Sequence, residues 1–211
     1  MTCERIKLED LLQSGGLGRL ADEIRCGAVF VYPTETIYGI GGNALLPEVN
    51  ERIFNIKNRP AENPMIHLAS KLDIFTSMEI DLPPAAKCLA DAFWPGLLTM
   101  VLPAKKNDNT VAIRVSDHQF VKRLFDFISV PIFSTSANIS GEKYNPDPDY
   151  IYSTFSLKID FMIDGGFLPP SPPSTVVKID KDNNCTMIRE GVVSRSTLSD
   201  ILGKNGFTLS F

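Results

Sequence analysis

The sequence contains no CxxC pair. Its four cysteines, Cys3, Cys26, Cys88 and Cys185, lie far apart. That spacing argues against a zinc knuckle or a redox motif, and with no signal peptide the chain reads as cytoplasmic with reduced thiols. No apolar run approaches the ~20 residues needed to cross a bilayer, so no membrane partner is expected. Positive charge is not in excess either: the formal net charge is −4. This excludes bulk coating of nucleic acid while allowing a local basic groove. A Walker-type loop, a Ser/His/Asp arrangement and an H-x-x-x-H pair are all missing, so neither covalent nucleophilic catalysis nor a protein-held metal is expected. Internal repeats and low-complexity tracts are missing too. Any catalysis would rest on positioning and charge stabilisation.

What the chain does have is enough apolar residue, 44% of 211, to fill the core of one domain spanning residues 1–211. Short Val- and Ile-rich runs bounded by Pro, Gly, Asn or Asp predict strands at Ala28 to Val31, Met65 to Ala69, Leu97 to Leu102, Val111 to Val115, Pro131 to Phe133, Phe161 to Ile163, Thr175 to Ile179 and Thr186 to Ile188. Helical spacing predicts helices at Glu48 to Lys57, behind Pro47, and at Pro84 to Phe93. A further helix is expected over Asp117 to Ile128, capped by Asp117 with Phe120, Leu124, Phe127 and Ile128 inward. The last covers Ser196 to Leu202, capped by Ser196 and closed by Gly203. Strands and helices alternate, which predicts an α/β or α+β sheet domain. The proline-rich stretch Gly165 to Ser174 reads as a rigid lid or wall.

Several segments offer chemistry. Pro33-Thr34-Glu35-Thr36 is expected at a strand's carboxyl end, where ligands gather in open α/β sheets. Thr34 and Thr36 bring hydroxyls and Glu35 an acceptor; Gly39, Gly41 and Gly42 either let backbone amides approach a ligand or form an ordinary loop. Lys57 and Arg59 suit the oxygens of a polyphosphate, or complement a helix C-terminus. His67 is a satisfied core residue or the holder of a small polar head group. Arg114, in an apolar strand, must find a carboxylate or phosphate to offset desolvation. Ser134, Thr135, Ser136, Asn138 and Ser140 form a polar cup or a Ser/Asn turn. Ser174-Thr175 and Arg189-Glu190-Gly191 each put polar groups at a strand end.

Taken together, Pro33-T-E-T-I-Y-G-I-G, Lys57-N-R-P, Phe93-W-P-G-L-L-T-M-V-L, Val111-A-I-R, Ser136-A-N-I-S-G, Asp164-G-G, Pro173-S-T-V-V and Arg189-E-G resemble the YrdC-type threonylcarbamoyl-AMP synthases from about Ile24 to Val193. The resemblance implies a twisted open mixed sheet flanked by helices around a positively charged cavity. It also implies a nucleotidyltransferase that joins L-threonine, bicarbonate and ATP into threonylcarbamoyl-AMP, releasing pyrophosphate. Partner proteins would use the product to modify the adenosine 3′ to the anticodon of tRNA.

By the same resemblance Thr34, His67, Arg114 and Ser174 hold threonine, and Lys57, Arg59, Ser136, Asn138 and Arg189 hold ATP. Lys57 and Arg59 are the catalytic pair, and Mg2+ arrives with the nucleotide. The chain departs from the pattern at Asn145-Pro146-Asp147, where members often carry S-P-T, and is one residue shorter before His67 than some members. Its end, about twenty residues after Arg189, resembles the short form. Two other readings share the fold: a non-catalytic double-stranded RNA-binding or ribosome-maturation factor, with tRNA or double-stranded RNA as partner, and the carbamoyl-adenylate module of larger hydrogenase-maturation enzymes. The second sits in longer chains with zinc-finger and acylphosphatase segments, which are not found here.

Overall fold

A computed structural model describes residues 3–58, 65–106 and 109–211. Numbered along the chain, the strands are β1 (Glu4–Lys7), β2 (Phe30–Tyr32), β3 (Gly39–Gly41), β4 (Ile66–Ala69), β5 (Leu98–Pro103), β6 (Thr110–Val115), β7 (Ile132–Ser136), β8 (Phe161–Asp164), β9 (Thr175–Ile179), β10 (Cys185–Arg189) and β11 (Leu209–Ser210). Among the described residues they form one mixed sheet in the order β1-β8-β2-β3-β7-β4-β6-β5-β9-β10-β11. The helices are α1 (Leu8–Ser14), α2 (Leu17–Arg25), α3 (Pro47–Lys57), α4 (Pro84–Phe93), α5 (Gln119–Leu124), α6 (Pro148–Phe155) and α7 (Arg195–Lys204). The expected open mixed sheet flanked by helices is thus observed. No described helix is long and apolar enough to cross a membrane.

Side-chain alternation along the strands splits the core in two. On one face Phe30, Tyr32, Leu68, Ile132 and Phe161 pack with α1, α2 and α5. On the other, Val29, Val31, Ile40 and Phe133 meet α3 and α6, while Met100, Ile113 and Val177 meet α4 and α7. α3 starts on Pro47, buries Val49, Ile53, Ile56 and Lys57, and stops where Asn58 turns left-handed at φ 50°. Its last residue is therefore delivered into the protein, beneath β7.

Several expectations change. α5 is shorter than Asp117 to Ile128 and is capped by His118, whose ring Nδ1 accepts from the Phe120 N–H at 3.3 Å; Phe127 is exposed rather than inward. α7 is capped by Ser194, which accepts from the Thr197 N–H, and it runs through Gly203, with the positive φ falling at Gly206. The glycine run near residue 40 lies largely in a strand, β3, rather than in a loop. A Cβ on Gly41 would lie 2.1 Å from the Phe133 carbonyl oxygen, so here the missing side chain lets two backbones pack. β1, β11, α1, α2, α6 and the 3-10 turn at Leu72–Met78 add to the predicted elements.

Asp164, at the end of β8, ties the sheet edge to the segment that follows. Its side chain is fully buried and accepts from Lys7 Nζ at 2.8 Å, Arg5 Nε at 3.0 Å and the Gly166 N–H at 2.9 Å; Arg5 also reaches Asp149 on α6. Burial alone would raise the Asp164 pKa, but the hydrogen bonds from Lys7 and Gly166 and the charges of Arg5 and Lys7 outweigh it and hold the carboxyl below its ordinary 3.8. A depressed folded-state value gives stability that is present above 3.8 and lost as pH falls through the folded value. Asp164→Asn should therefore lower stability at pH 6 by about 1–2 kcal/mol, with a smaller gap at pH 3. Urea midpoints at both pH values check this, and an equal gap at the two would contradict it.

Candidate active site

A cavity of about 400 Å³ opens on the sheet face that carries Leu68 and Ile132. Register places the wall residues: Ile66 pairs with Ser134 and Leu68 with Arg114, so these side chains share a face. The segment after β2 folds over that face and brings Thr34 and Thr36 to the rim. The Thr34 hydroxyl donates to the Ile37 carbonyl at 2.7 Å and accepts from the N–H groups of Thr36 and Ile37, both at 3.3 Å. This is the local hydroxyl-to-backbone bonding that shapes a turn. Glu35 turns inward, and its oxygens are taken by protein donors rather than offered to the cavity.

Arg114 finds the anion its burial demands. Its Nη2 donates to Glu35 Oε2 at 2.6 Å and its Nε to the Gly96 carbonyl at 2.8 Å. Only 6% of the side chain is exposed. Burial lowers the guanidinium pKa and the Glu35 charge works against that shift. Arg114 nonetheless lines the cavity, and its Nη1 makes no hydrogen bond among the described residues.

β7 continues past the expected Phe133 through Ser136, so the polar cup is partly strand. Ser134, Thr135, Ser136 and Asn138 all line the cavity. The Ser136 hydroxyl donates to Asn138 Oδ1 at 2.5 Å, and the Asn138 amide donates to the Ile139 and Glu142 carbonyls. Ser140 is not among the lining residues; its hydroxyl is buried. Lys57, only 1% exposed, lies under the cup. Its ammonium donates to the Ser136 carbonyl, to the Asn138 carbonyl at 2.6 Å and to Asn138 Oδ1 at 3.4 Å. It is not part of the cavity lining, so its hydrogen bonds support the cup from behind. Arg59, expected beside it, lies outside the described residues.

The far wall comes from the proline-rich stretch, which has no regular structure and lines the cavity with Ser171, Pro173 and Ser174. The Ser174 hydroxyl is 2.9 Å from that of Thr99. Its carbonyl accepts from Arg189 Nη2 at 2.9 Å. Arg189 lines the same cavity, has no ion pair among the described residues, and is pushed to a lower pKa by burial. Tyr38 ties the walls together: its hydroxyl donates to the Gly166 carbonyl at 2.7 Å and accepts from the Gly165 N–H at 2.9 Å, while its own N–H donates to the Tyr144 hydroxyl at 2.9 Å.

Thr34, Arg114, Ser136, Asn138, Ser174 and Arg189 are thus brought together. His67 is not. It is the register partner of Phe133 on the opposite face, with the two rings 5.1 Å apart, and its Nδ1 lies 3.2 Å from the Ala112 carbonyl. Burial lowers its pKa, against the effect of that hydrogen bond. Ile66, one residue earlier, takes the cavity position, as alternation requires. Sequence reasoning passed over Tyr38 and Tyr144 as wall supports, Thr99 as the partner of Ser174, and Glu142, the one carboxylate among the described lining residues. Among the described residues no cluster of His, Cys, Asp and Glu could hold a metal ion.

Residues 22–191 match the Sua5/YciO/YrdC family model, described as telomere recombination. The threonylcarbamoyl-AMP synthase of Pyrococcus abyssi is 33% identical, over 94% of this chain and 61% of its own length. A putative threonylcarbamoyl-AMP synthase of Methanocaldococcus jannaschii is 34% identical, over 82% of this chain and 84% of its own. The crystal structure of P. abyssi Sua5 complexed with L-threonine superposes with a TM-score of 0.84 at 30% identity, covering 99% of this chain and 62% of that one. The chain therefore spans less than two thirds of the P. abyssi protein.

If Tyr38 joins the walls through its hydroxyl, Tyr38→Phe should destabilise the fold by about 0.5–1.5 kcal/mol, the net worth of a hydrogen bond to backbone that water can still reach. It should also speed amide exchange at Gly165. Denaturant titration together with hydrogen exchange checks both; unchanged protection at Gly165 would remove Tyr38 from this role.

Proposed function

Because the chain belongs to the Sua5/YciO/YrdC family, we propose that its cavity forms threonylcarbamoyl-AMP and pyrophosphate from L-threonine, bicarbonate and ATP. The observation that carries the reading is one chamber lined by two arginines, Arg114 and Arg189, together with the hydroxyls of Thr34 and Ser174 and the Ser136–Asn138 cup. Arg114 is paired with Glu35, whereas Arg189 bonds to the Ser174 carbonyl and has no acidic partner among the described residues. The P. abyssi relative bound to L-threonine supports threonine as one ligand.

In this reading Arg114 Nη1 pairs with the threonine carboxylate, and the Thr34 and Ser174 hydroxyls bound the rest of the amino acid. The cup and Arg189 hold the nucleotide, with Lys57 keeping the cup in shape and Arg59 reaching the phosphates. The threonine amine adds to carbon dioxide from bicarbonate and loses a proton. One oxygen of the resulting N-carboxylate attacks the α-phosphorus in line, and pyrophosphate leaves. This needs no covalent enzyme intermediate; it needs two anions held close with their charge compensated. A Mg2+ ion carried by the triphosphate would add to that compensation. The donor set fits such an ion rather than a protein cage, since Glu142 is the one carboxylate of the described wall and phosphate oxygens with water would complete the shell. A cytoplasmic setting, with tRNA and product-consuming modification proteins downstream, follows from the same proposal.

Purified protein should release pyrophosphate from ATP only when L-threonine and bicarbonate are both supplied. A rate unaffected by omitting threonine would overturn the proposal, and salt-sensitive RNA binding without such turnover would favour the RNA-binding alternative. Arg189→Ala should lower kcat/KM for ATP roughly 10–100-fold, the scale of one lost hydrogen bond to a charged group. Steady-state kinetics with ATP varied reads this directly; a value within twofold of the parent would take Arg189 out of nucleotide binding.

A further inference from the structure

Glu35 is the most heavily engaged carboxylate near the cavity, yet it is not among the residues that line it. Oε2 accepts from Arg114 Nη2 at 2.6 Å. Oε1 accepts from the Ser116 hydroxyl at 2.8 Å and from the N–H groups of Asp117 at 2.6 Å and His118 at 3.1 Å. One side chain therefore binds the guanidinium and the turn that leads from β6 into α5. Arg114 is then held at two points, by Glu35 through Nη2 and by the Gly96 carbonyl through Nε.

We infer that Glu35 is a positioning residue for amino-acid recognition: it holds the Arg114 fork so that a fixed Nη1 edge, rather than a rotating guanidinium, meets the substrate carboxylate. The inference rests on the reading of the cavity as a threonine site. Three physical points support it. A guanidinium this deeply buried keeps its charge and therefore needs an anion to offset its desolvation. A carboxylate bonded on both oxygens is itself immobilised, so it transmits the position of the 116–118 turn to Arg114. An arginine held at two of its nitrogens also loses less freedom when a third bond forms, so less ordering entropy is lost when the ligand binds.

The discriminating variant is Glu35→Gln. It keeps the shape and one acceptor for the turn, but its amide donors face Arg114 Nη2 in place of an acceptor. Calorimetric titration with L-threonine and, separately, with a non-hydrolysable ATP analogue, alongside steady-state kinetics, reads the outcome. Expected is a rise of tenfold or more in both Kd and KM for threonine, with KM for ATP within twofold of the parent. Glu35→Asp keeps the charge but retracts it, and should raise the threonine KM at least threefold; it carries the test should the Gln variant not fold. Threonine binding that is unchanged or tighter in these variants overturns the inference, as does an equal rise in both Michaelis constants, which marks a purely structural role. A parent protein that binds no threonine overturns the functional reading and this inference with it. Threonine binding by the parent, matched by Glu35→Gln, overturns the inference alone.

Discussion

The arrangement depends first on a buried ammonium. Lys57 is almost fully removed from water, and an ammonium so placed costs several kcal/mol unless hydrogen bonds replace its hydration. The carbonyls of Ser136 and Asn138 supply those bonds. They can do so because α3, anchored through Val49, Ile53 and Ile56, aims its last residue at the end of β7. The same bonds fix the backbone of the loop that offers Ser136 and Asn138 to the cavity. Packing of one helix thus becomes the shape of a binding surface, with Lys57 as the intermediary.

Three cations near the cavity meet three different environments. Lys57 is satisfied by backbone carbonyls, Arg114 is neutralised by Glu35, and Arg189 bonds to the Ser174 carbonyl with no acid partner among the described residues. Of the two arginines that line the cavity, Arg114 is balanced by Glu35, whereas Arg189 keeps its charge without an acidic partner among the described residues and would be the stronger attraction for an incoming anion. In the proposed reading that difference would help to sort a phosphate chain from a carboxylate.

Much of this was legible in the sequence, and the limits have physical causes. Arg114 in an apolar strand announced an anion partner, but only the fold shows that the partner is Glu35, distant in sequence. The cup followed from hydroxyls after a short apolar run, although β7 extends into it because Gly39 and Ile40 offer a partner strand. His67 shows where pattern reading ends. With a side-chain period of two, a shift of one residue moves a side chain to the opposite face, and the shorter segment before it left that register open. The Gly41 signal was real, but neither ligand approach nor an ordinary loop named the constraint the fold shows: the Phe133 carbonyl leaves no room for a side chain. Polar β1, with the sequence Glu-Arg-Ile-Lys, lacks the apolar pattern of a strand and is held by pairing with β8 and by Asp164.

The most direct measurement is hydrogen exchange at the amides of Ala137, Asn138 and Ser140 in Lys57→Met. These amides are bonded to the carbonyls of Tyr38, Ser136 and Lys57 itself, so the backbone partners survive the substitution and only the ammonium is lost. The account predicts exchange at least about tenfold faster at these three positions, on the scale of one or more lost hydrogen bonds, with β6 amides unchanged. A folded variant whose cup amides exchange at the parent rate would show that Lys57 does not hold this loop.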